Sequence, residues 1–191
     1  MSRAARALRW AAGVFLAAGL LTLAYAAYVI TEAKTYQTIE MRRFEHARPA
    51  PAAEFPLVEG GPIGEIRIPR LGLAAMVLQG DSDSILRLAV GHLADTALPG
   101  ESGNVVLAGH RDTFFRPLNG VQVGDLITLN TRAGAFTYLV ESTFVVPPTD
   151  LQVLRPTGQP TLTLITCYPF AYIGSAPNRF VVRARETDRL R

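Results

Sequence analysis

The N-terminal part of the chain divides into a short basic stretch and a long uncharged one. From Trp10 to Ile30 no side chain is charged, and about 21 residues are enough for a helix to cross the ~30 Å hydrocarbon core of a bilayer. Three arginines lie within residues 1–9, before this run, and a glutamate and a lysine follow it. Since cytoplasmic flanks carry the excess of basic residues, the pattern predicts a membrane helix over 10–30 with residues 1–9 in the cytoplasm.

A cleaved signal peptide remains an alternative for this run, because Ala24-Tyr25-Ala26 resembles an A-x-A cleavage site. The run is, however, longer than the ~7–15 apolar residues of such a signal. A buried core helix is a third reading, and the arginines before an uncharged segment disfavour it. Either of the first two interpretations exports the rest of the chain.

Residues 31–62 predict a connection between this helix and a folded domain. Thr31–Arg48 contains neither glycine nor proline, so it predicts an extension of the membrane helix or a separate juxtamembrane helix. Pro49–Pro62 is rich in proline and contains Gly60-Gly61, which predicts a stiff linker without helix. The folded domain is therefore expected to begin near Ile63.

From residue 63 onward the hydrophobic pattern is mainly that of short β-strands. Gly64–Pro69 alternates apolar and polar positions, as half-buried strands do. Asp81–Ser84 offers capping residues before Ile85–Ala89, which predicts one short helix. The strands indicated by pattern alone are 64–69, 73–78, 104–109, 125–129, 136–140, 161–167 and 179–185. Many short strands with little helix predict a β-sandwich or a closed barrel.

Composition narrows the classes of function. Hydrophobic residues make up 49% of the 191, and the run over 10–30 explains the excess. The net charge of +3 comes mainly from arginines near the two ends of the chain, not from a basic block interleaved with aromatics, so no nucleic-acid partner is expected. The acidic residues form no ligand-rich run, so we expect no metal and no other cofactor.

The single cysteine, Cys167, ends the strand-like run 161–167, so no intramolecular disulfide can form. Leu162 and Leu164 share one face of that strand, and Cys167 lies on the other. If the leucines face the core, the thiol lies on the less apolar side, where it can be reached. An inert, buried cysteine is the alternative.

The three histidines differ in their predicted surroundings. His46 lies in the juxtamembrane segment and is expected at the surface, and His92 lies in an irregular stretch and is expected to be a loop histidine. His110 ends the apolar run 105–109 and opens a polar stretch that includes Asp112. A titratable ring at the point where a core strand surfaces can project into a cleft. Asp112 either orients that ring or is an ordinary loop aspartate.

Arg179 begins the last strand, and only residues 168–178 separate it from Cys167. If the two strands are neighbours, the thiol and the guanidinium lie side by side. A free cysteine has a pKa of ~8.5, and a neighbouring cation favours its ionised thiolate form. The same guanidinium could stabilise the negative charge of a developing oxyanion. A histidine that protonates a leaving amine would complete the set for acyl transfer through a thioester. Taken alone, Arg179 is more typical of a strand-edge surface residue.

Three motifs together resemble the sortase family. Thr163–Cys167 matches the TLxTC signature, Leu107–His110 resembles the catalytic-histidine motif, and Asn178–Val182 resembles the arginine strand. They occur in the family's order over roughly Gly64 to Arg185, and the joint match is specific although each piece alone is not. The segment Thr166–Phe170 is most similar to class D sortases.

The resemblance implies a closed eight-stranded sortase-type β-barrel with short helices over 63–186. It also implies a single transmembrane signal anchor over 10–30 and a C-terminal tail over 187–191. The protein would be a single-pass protein of the bacterial inner (cytoplasmic) membrane with its catalytic domain on the extracytoplasmic side. Its partners would be an LPxTG-like C-terminal sorting signal of exported proteins and an amine nucleophile on the cell envelope.

By the same resemblance, Cys167 attacks the Thr–Gly or Thr–Ala bond of the sorting signal and forms a thioester. His110 acts as general acid and then as base, while Arg179 stabilises the oxyanion and orients the peptide. Thr166 shapes the substrate pocket, and the backbone N–H of Tyr168 is a candidate second oxyanion donor. Two alternatives stay open: a catalytically idle barrel that binds or scaffolds exported peptides, and a cysteine hydrolase that passes the acyl group to water.

Overall fold

The computed structural model describes residues 3–46, 58–172 and 174–187. Residues 49–57 of the expected linker and residues 188–191 of the expected tail lie outside the described residues. The chain divides into two units, residues 1–36 and residues 37–191. Within the described residues, the first unit consists of helix and the second contains every strand.

Helix α1, Arg3–His46, contains the uncharged run and continues through the segment that follows it. In the part of the chain that the structure describes, it is the one helix long and apolar enough to cross a membrane, a property that signal sequences share. Its large apolar side chains are exposed, Trp10 at 77% and Phe15 at 78%. The hydroxyls of Thr22 and Thr31 donate to carbonyls four residues earlier, which satisfies them within the helix.

Eight strands form the second unit and close into a barrel in the order β1-β2-β3-β4-β7-β8-β6-β5. The strands are β1 Pro62–Ile68, β2 Leu73–Gln79, β3 Val90–His92, β4 Asn104–Ala108, β5 Leu126–Thr131, β6 Gly134–Val146, β7 Thr161–Tyr168 and β8 Asn178–Glu186. The short helix α2 is Asp83–Leu88, and 3₁₀ turns occupy Pro69–Leu71, Arg116–Gly120 and Leu151–Leu154. The barrel and the short helix agree with the predicted fold.

Two of the strand pairs are parallel, β2 with β3 and β4 with β7, and the others are antiparallel. The barrel closes where β1 pairs with β5, and a Cβ at Gly64 would lie 2.2 Å from the Asn130 carbonyl oxygen. Glycine is therefore needed for this close approach. The parallel pairing of β4 and β7 brings together the strands on which the sequence motifs lie.

Inward-facing aliphatic and aromatic side chains from all eight strands fill the barrel. Alternate residues of a strand point to the same side, and Leu162 and Leu164 of β7 are both 0% exposed within this core. Leu107 of β4 and Phe115, from the loop that follows β4, are also 0% exposed there. The strand that carries the cysteine is thus fixed by core packing on its inner face.

Two details of the sequence-based interpretation were wrong. The stretch before His92 is not irregular, because Val90–His92 forms β3 and bonds to strands on both sides. The predicted strand 136–140 is only part of β6, which runs on to Val146 through a register shift between Val140 and Ser142. A bulge of this kind interrupts the alternation of side chains and hides the continuity of the strand.

Candidate active site

The barrel places Cys167 directly opposite Arg179 in the antiparallel ladder of β7 and β8. Paired residues on neighbouring strands project to the same face of a sheet, with their Cβ atoms about 4.5–5.5 Å apart. Cys167 is a free thiol of intermediate exposure, and Arg179 is half-buried as well. The structure therefore brings these two predicted site residues together at the end of their strands.

His110 approaches the same place from the other side of β7. The parallel ladder pairs Ala108 with Ile165, and the Gly109 N–H adds a bond to the Ile165 carbonyl at 3.2 Å. Continuing this register by two residues from Ala108 brings His110 level with Cys167. Because β7 lies between β4 and β8, the histidine and the arginine approach the cysteine from opposite sides.

Gly109 fixes the path of the backbone into His110. Its N–H bonds to β7, and its carbonyl accepts the hydroxyl of Thr166 at 2.7 Å. A Cβ at this position would lie 2.8 Å from a ring carbon of Phe115, which is fully buried. The backbone of this residue is thus held by β7 on one side and packed against the core on the other.

Thr166 faces the interior and is 2% exposed. Its hydroxyl is committed to the Gly109 carbonyl, so its visible contact is with the segment that carries His110. A buried carbonyl that lost this donor would incur a desolvation penalty of about 1–3 kcal/mol. In this structure Thr166 is therefore bonded, from within the barrel wall, to the residue that precedes His110.

Arg179 makes two hydrogen bonds through one terminal nitrogen. Nη1 donates to the carbonyls of Ala176 at 3.3 Å and Asn178 at 3.1 Å. A guanidinium carries five N–H donors in a fixed fork, so these bonds orient the group without using all its donors. Such a group can still bind an anionic oxygen.

Tyr168 pairs with Asn178 in the ladder and belongs to an aromatic cluster beside the cysteine. Its ring stacks on Phe180 at 6.2 Å between centroids and meets Phe170 edge-on at 6.1 Å. Phe170 and Phe180 are themselves 5.3 Å apart. These rings give the end of the β7–β8 pair an apolar wall.

The other two histidines lie on other elements, His46 on α1 and His92 on β3. His46 is exposed on α1, as expected. His92 is not a loop histidine, as its sequence context suggested: it is 1% exposed, and its Nε2 donates to the Ala97 carbonyl at 2.9 Å. Its Nδ1 lies 3.0 Å from the side-chain oxygen of Gln79. Burial lowers the pKa of His92 below its usual value, and the Ala97 carbonyl opposes this shift.

Asp112 does not contact the His110 ring through any described hydrogen bond. Its side chain is 67% exposed, and Oδ1 lies 3.5 Å from Nε of Arg111. The ordinary loop aspartate of the two sequence interpretations fits this position. Among the residues that the structure describes, no group of three or more histidine, cysteine or acidic side chains is arranged to hold a metal ion.

Arg111 is a residue that the sequence reasoning missed. It is 6% exposed, and its two terminal nitrogens donate to three main-chain carbonyls of the loop between β7 and β8. The only sequence signal is its position next to His110, which does not distinguish a buried arginine from a solvated one. Its partners lie about 60 residues further along the chain, beyond the reach of local patterns.

Comparison with known proteins agrees with this arrangement. A family model described as a sortase domain matches residues 66–187, which is more than half of the chain. The chain belongs to the sortase family. It is 32% identical over 183 residues to sortase D of Bacillus subtilis (strain 168), covering 87% of this chain and 92% of that protein.

Solved sortase structures share the fold. The sortase D5 transpeptidase of Clostridium perfringens superposes with a TM-score of 0.69 at 28% identity, over 82% of this chain and 99% of that one. Sortase E from Streptomyces avermitilis superposes with a TM-score of 0.59 at 32% identity, over 68% of this chain and 90% of that one. The protein is therefore a sortase-type cysteine transpeptidase with one cysteine in its sequence. Its apolar N-terminal helix has the length and composition of a membrane anchor.

Proposed function

We propose that this sortase cleaves an LPxTG-like sorting signal through a thioester on Cys167 and transfers the acyl group to an amine on the cell envelope. The observation that supports this most strongly is the sheet order β4-β7-β8. It puts the strand with the only cysteine between the strand that leads into His110 and the strand that carries Arg179 as its second residue. Cys167 and Arg179 are also direct partners in the ladder.

In the first step, the Cys167 sulfur attacks the carbonyl carbon of the scissile Thr–Gly or Thr–Ala bond as a thiolate. The carbon–sulfur bond forms as the carbonyl becomes an oxyanion, and the carbon–nitrogen bond then breaks. The leaving amine takes a proton from His110, acting as general acid. The products are a thioester on Cys167 and a free amine, which departs with the C-terminal part of the signal.

In the second step, an amine nucleophile attacks the thioester. His110, now neutral, accepts a proton from that amine as the new carbon–nitrogen bond forms, and the sulfur leaves as a thiolate. Atoms and charge balance without a metal or redox cofactor. The same acyl-enzyme would give hydrolysis if water replaced the amine.

Arg179 is the proposed oxyanion donor and also orients the peptide. A preorganised donor of this kind is worth about 10²–10³ in rate when it is aimed at developing charge. The backbone N–H of Tyr168 is the proposed second donor, and the aromatic cluster around its ring would contact the peptide. Thr166 is proposed to shape the pocket by holding Gly109, and through it His110, against β7.

Helix α1 is the proposed membrane anchor, retained over residues 10–30. Basic residues precede the apolar run, which favours an N-terminus in the cytoplasm and a barrel outside the bacterial inner membrane. This location would place the active site where exported proteins and cell-envelope amines meet.

The proposal is tested with the full chain in detergent micelles, an LPxTG-type peptide and a small amine. We expect a ligated product from the wild type, and none from Cys167→Ala. His46→Ala is a matched control for His110→Ala, because His46 is exposed on the helix, and only the second variant should lose activity. Undiminished ligation by Cys167→Ala would refute the proposal. A product that contains only the hydrolysed peptide, even at high amine concentration, would assign a hydrolase instead.

A further inference from the structure

A buried cation lies beside the candidate active site without a carboxylate hydrogen-bonded to it in the described structure. The guanidinium of Arg111 donates from Nη1 to the Pro169 carbonyl at 3.0 Å. Its Nη2 donates to the carbonyls of Tyr172 at 2.6 Å and Gly174 at 3.1 Å. All three acceptors are main-chain oxygens of one loop, residues 169–177, which we call the β7–β8 loop; within it Ile173 is not described.

These hydrogen bonds connect two segments that carry proposed catalytic residues. Arg111 directly follows His110, whereas the β7–β8 loop connects the strand of Cys167 to the strand of Arg179. A single side chain thus ties the segment of one proposed catalytic residue to the loop between the other two. A rearrangement of the loop would break the hydrogen bonds between Arg111 and the loop carbonyls.

Beyond Pro169 and Phe170, which are partly buried, the β7–β8 loop has little buried surface of its own. Ala171, Tyr172, Gly174, Ser175 and Pro177 are all exposed. Segments with few buried contacts open at low free-energy cost, so the loop depends on the bonds that hold it. The Tyr172 ring adds a cation–π contact, with the Arg111 guanidinium carbon 5.8 Å from its centroid.

Electrostatics point to the loop carbonyls as the group's main partners. A buried charge is costly unless it is hydrogen-bonded. The nearest acid, Asp112, approaches Nε at 3.5 Å, but its side chain is 67% exposed and the pair is weakened by solvent. Hydrogen bonds from a charged donor are the strong ones, and Arg111 directs three of them at one loop.

We propose that Arg111 is a positioning residue that holds the β7–β8 loop in the arrangement that admits the sorting peptide. This inference rests on the proposed function and adds a residue to it. Arg111 acts on peptide binding through the loop and does not touch the reacting atoms. Its loss should therefore affect KM more than kcat.

The test uses Arg111→Ala and Arg111→Lys in the full chain, with two readouts. Hydrogen–deuterium exchange reports the opening of the β7–β8 loop without any substrate, and steady-state kinetics report kcat and KM for an LPxTG-type peptide with an amine. If the alanine variant leaves the loop arrangement held by Arg111 only about one-tenth populated, KM rises about tenfold while kcat stays within about twofold. Exchange in the loop should accelerate by at least that factor. The lysine variant should show a smaller change of about threefold, because one ammonium cannot reproduce a planar fork.

Arg116→Ala is the matched control, since Arg116 is an exposed arginine in the same connection after β4. It should leave exchange and kinetics unchanged. Loop exchange unchanged in Arg111→Ala, or an equal effect of Arg116→Ala, would overturn the proposal. If the alanine variant does not fold, the lysine variant decides: loop exchange and a KM equal to those of the wild type in Arg111→Lys would overturn the proposal. Exchange is measured without turnover, so an active Cys167→Ala variant would refute the proposed function and leave the loop result standing.

Discussion

Gly109→Ala is the substitution that most directly tests how the fold positions His110. The new Cβ would lie 2.8, 2.9 and 3.1 Å from three carbons of the Phe115 ring. Phe115 is fully buried in the core, so neither partner has space to move. Overpacking of this kind costs about 1–3 kcal/mol, and the loss of glycine's freedom in the unfolded chain returns about 0.5 kcal/mol. The expected net loss in the free energy of unfolding is about 0.5–2.5 kcal/mol.

Thermal unfolding should show this loss as a decrease in Tm of about 1–10 °C for a unit of this size. Activity should fall further than stability, by about tenfold to a hundredfold in kcat, because a small displacement of His110, the proposed general acid, would be costly. The backbone that the new Cβ would displace is that of residue 109, which directly precedes His110. Assays at 20 °C, well below the unfolding transition, separate the two effects.

Two further variants make the Gly109→Ala prediction specific. Gly120→Ala is the control, because its Cβ would make only an ordinary contact with Leu71 at 3.5 Å. Phe115→Leu should make room, so the double variant with Gly109→Ala should lose at least about 1 kcal/mol less than the sum of the two single variants. Additive losses, or full activity in Gly109→Ala, would refute the packing argument.

The remaining predictions concern two buried polar groups. Thr166→Val should lower the free energy of unfolding by about 1–3 kcal/mol and lower kcat, because it leaves the Gly109 carbonyl without its donor. Thr166→Ser keeps the hydroxyl and should keep kcat. Equal kcat values for the two variants would contradict this reasoning. Burial holds the pKa of His92 below its usual 6.5, so as the pH falls the unfolded chain takes up the proton first. The free energy of unfolding should therefore decrease as the pH falls from about 6.5 through the folded-state pKa, by up to about 1.4 kcal/mol per pH unit, and urea titrations should show a smaller decrease for His92→Gln.

Local patterns were sufficient for the parts of the fold that local chemistry determines. The alternation over 161–167 identified the inner and outer faces of β7, and Leu162 and Leu164 are indeed in the core. The sequence analysis put Cys167 and Arg179 side by side on the condition that their strands are neighbours, and the ladder pairs the two residues. Capping residues before Ile85 predicted the short helix α2.

The features that were missed depend on contacts between distant parts of the chain. Strand β3 has only three residues, one of them glycine, so it carries no periodic signal, and it exists because β2 and β4 bond to it on either side. His92 is buried because Gln79 and Ala97 supply partners for its ring. Arg111 is buried because a loop about 60 residues away offers it three carbonyls. Polar residues of this kind resemble surface residues until the partners are known.

The most direct test of the central proposal is the site of acylation. The full chain is incubated with an LPxTG-type peptide in the absence of an amine, quenched in acid, and analysed by intact mass and by mapping of the digested protein. We predict a thioester adduct of the N-terminal part of the peptide on Cys167, formed about 100-fold more slowly in His110→Ala and in Arg179→Ala. Arg185→Ala, an exposed arginine on the same strand, should match the wild type. An adduct on another residue, or acylation at the wild-type rate in both active-site variants, would contradict the account.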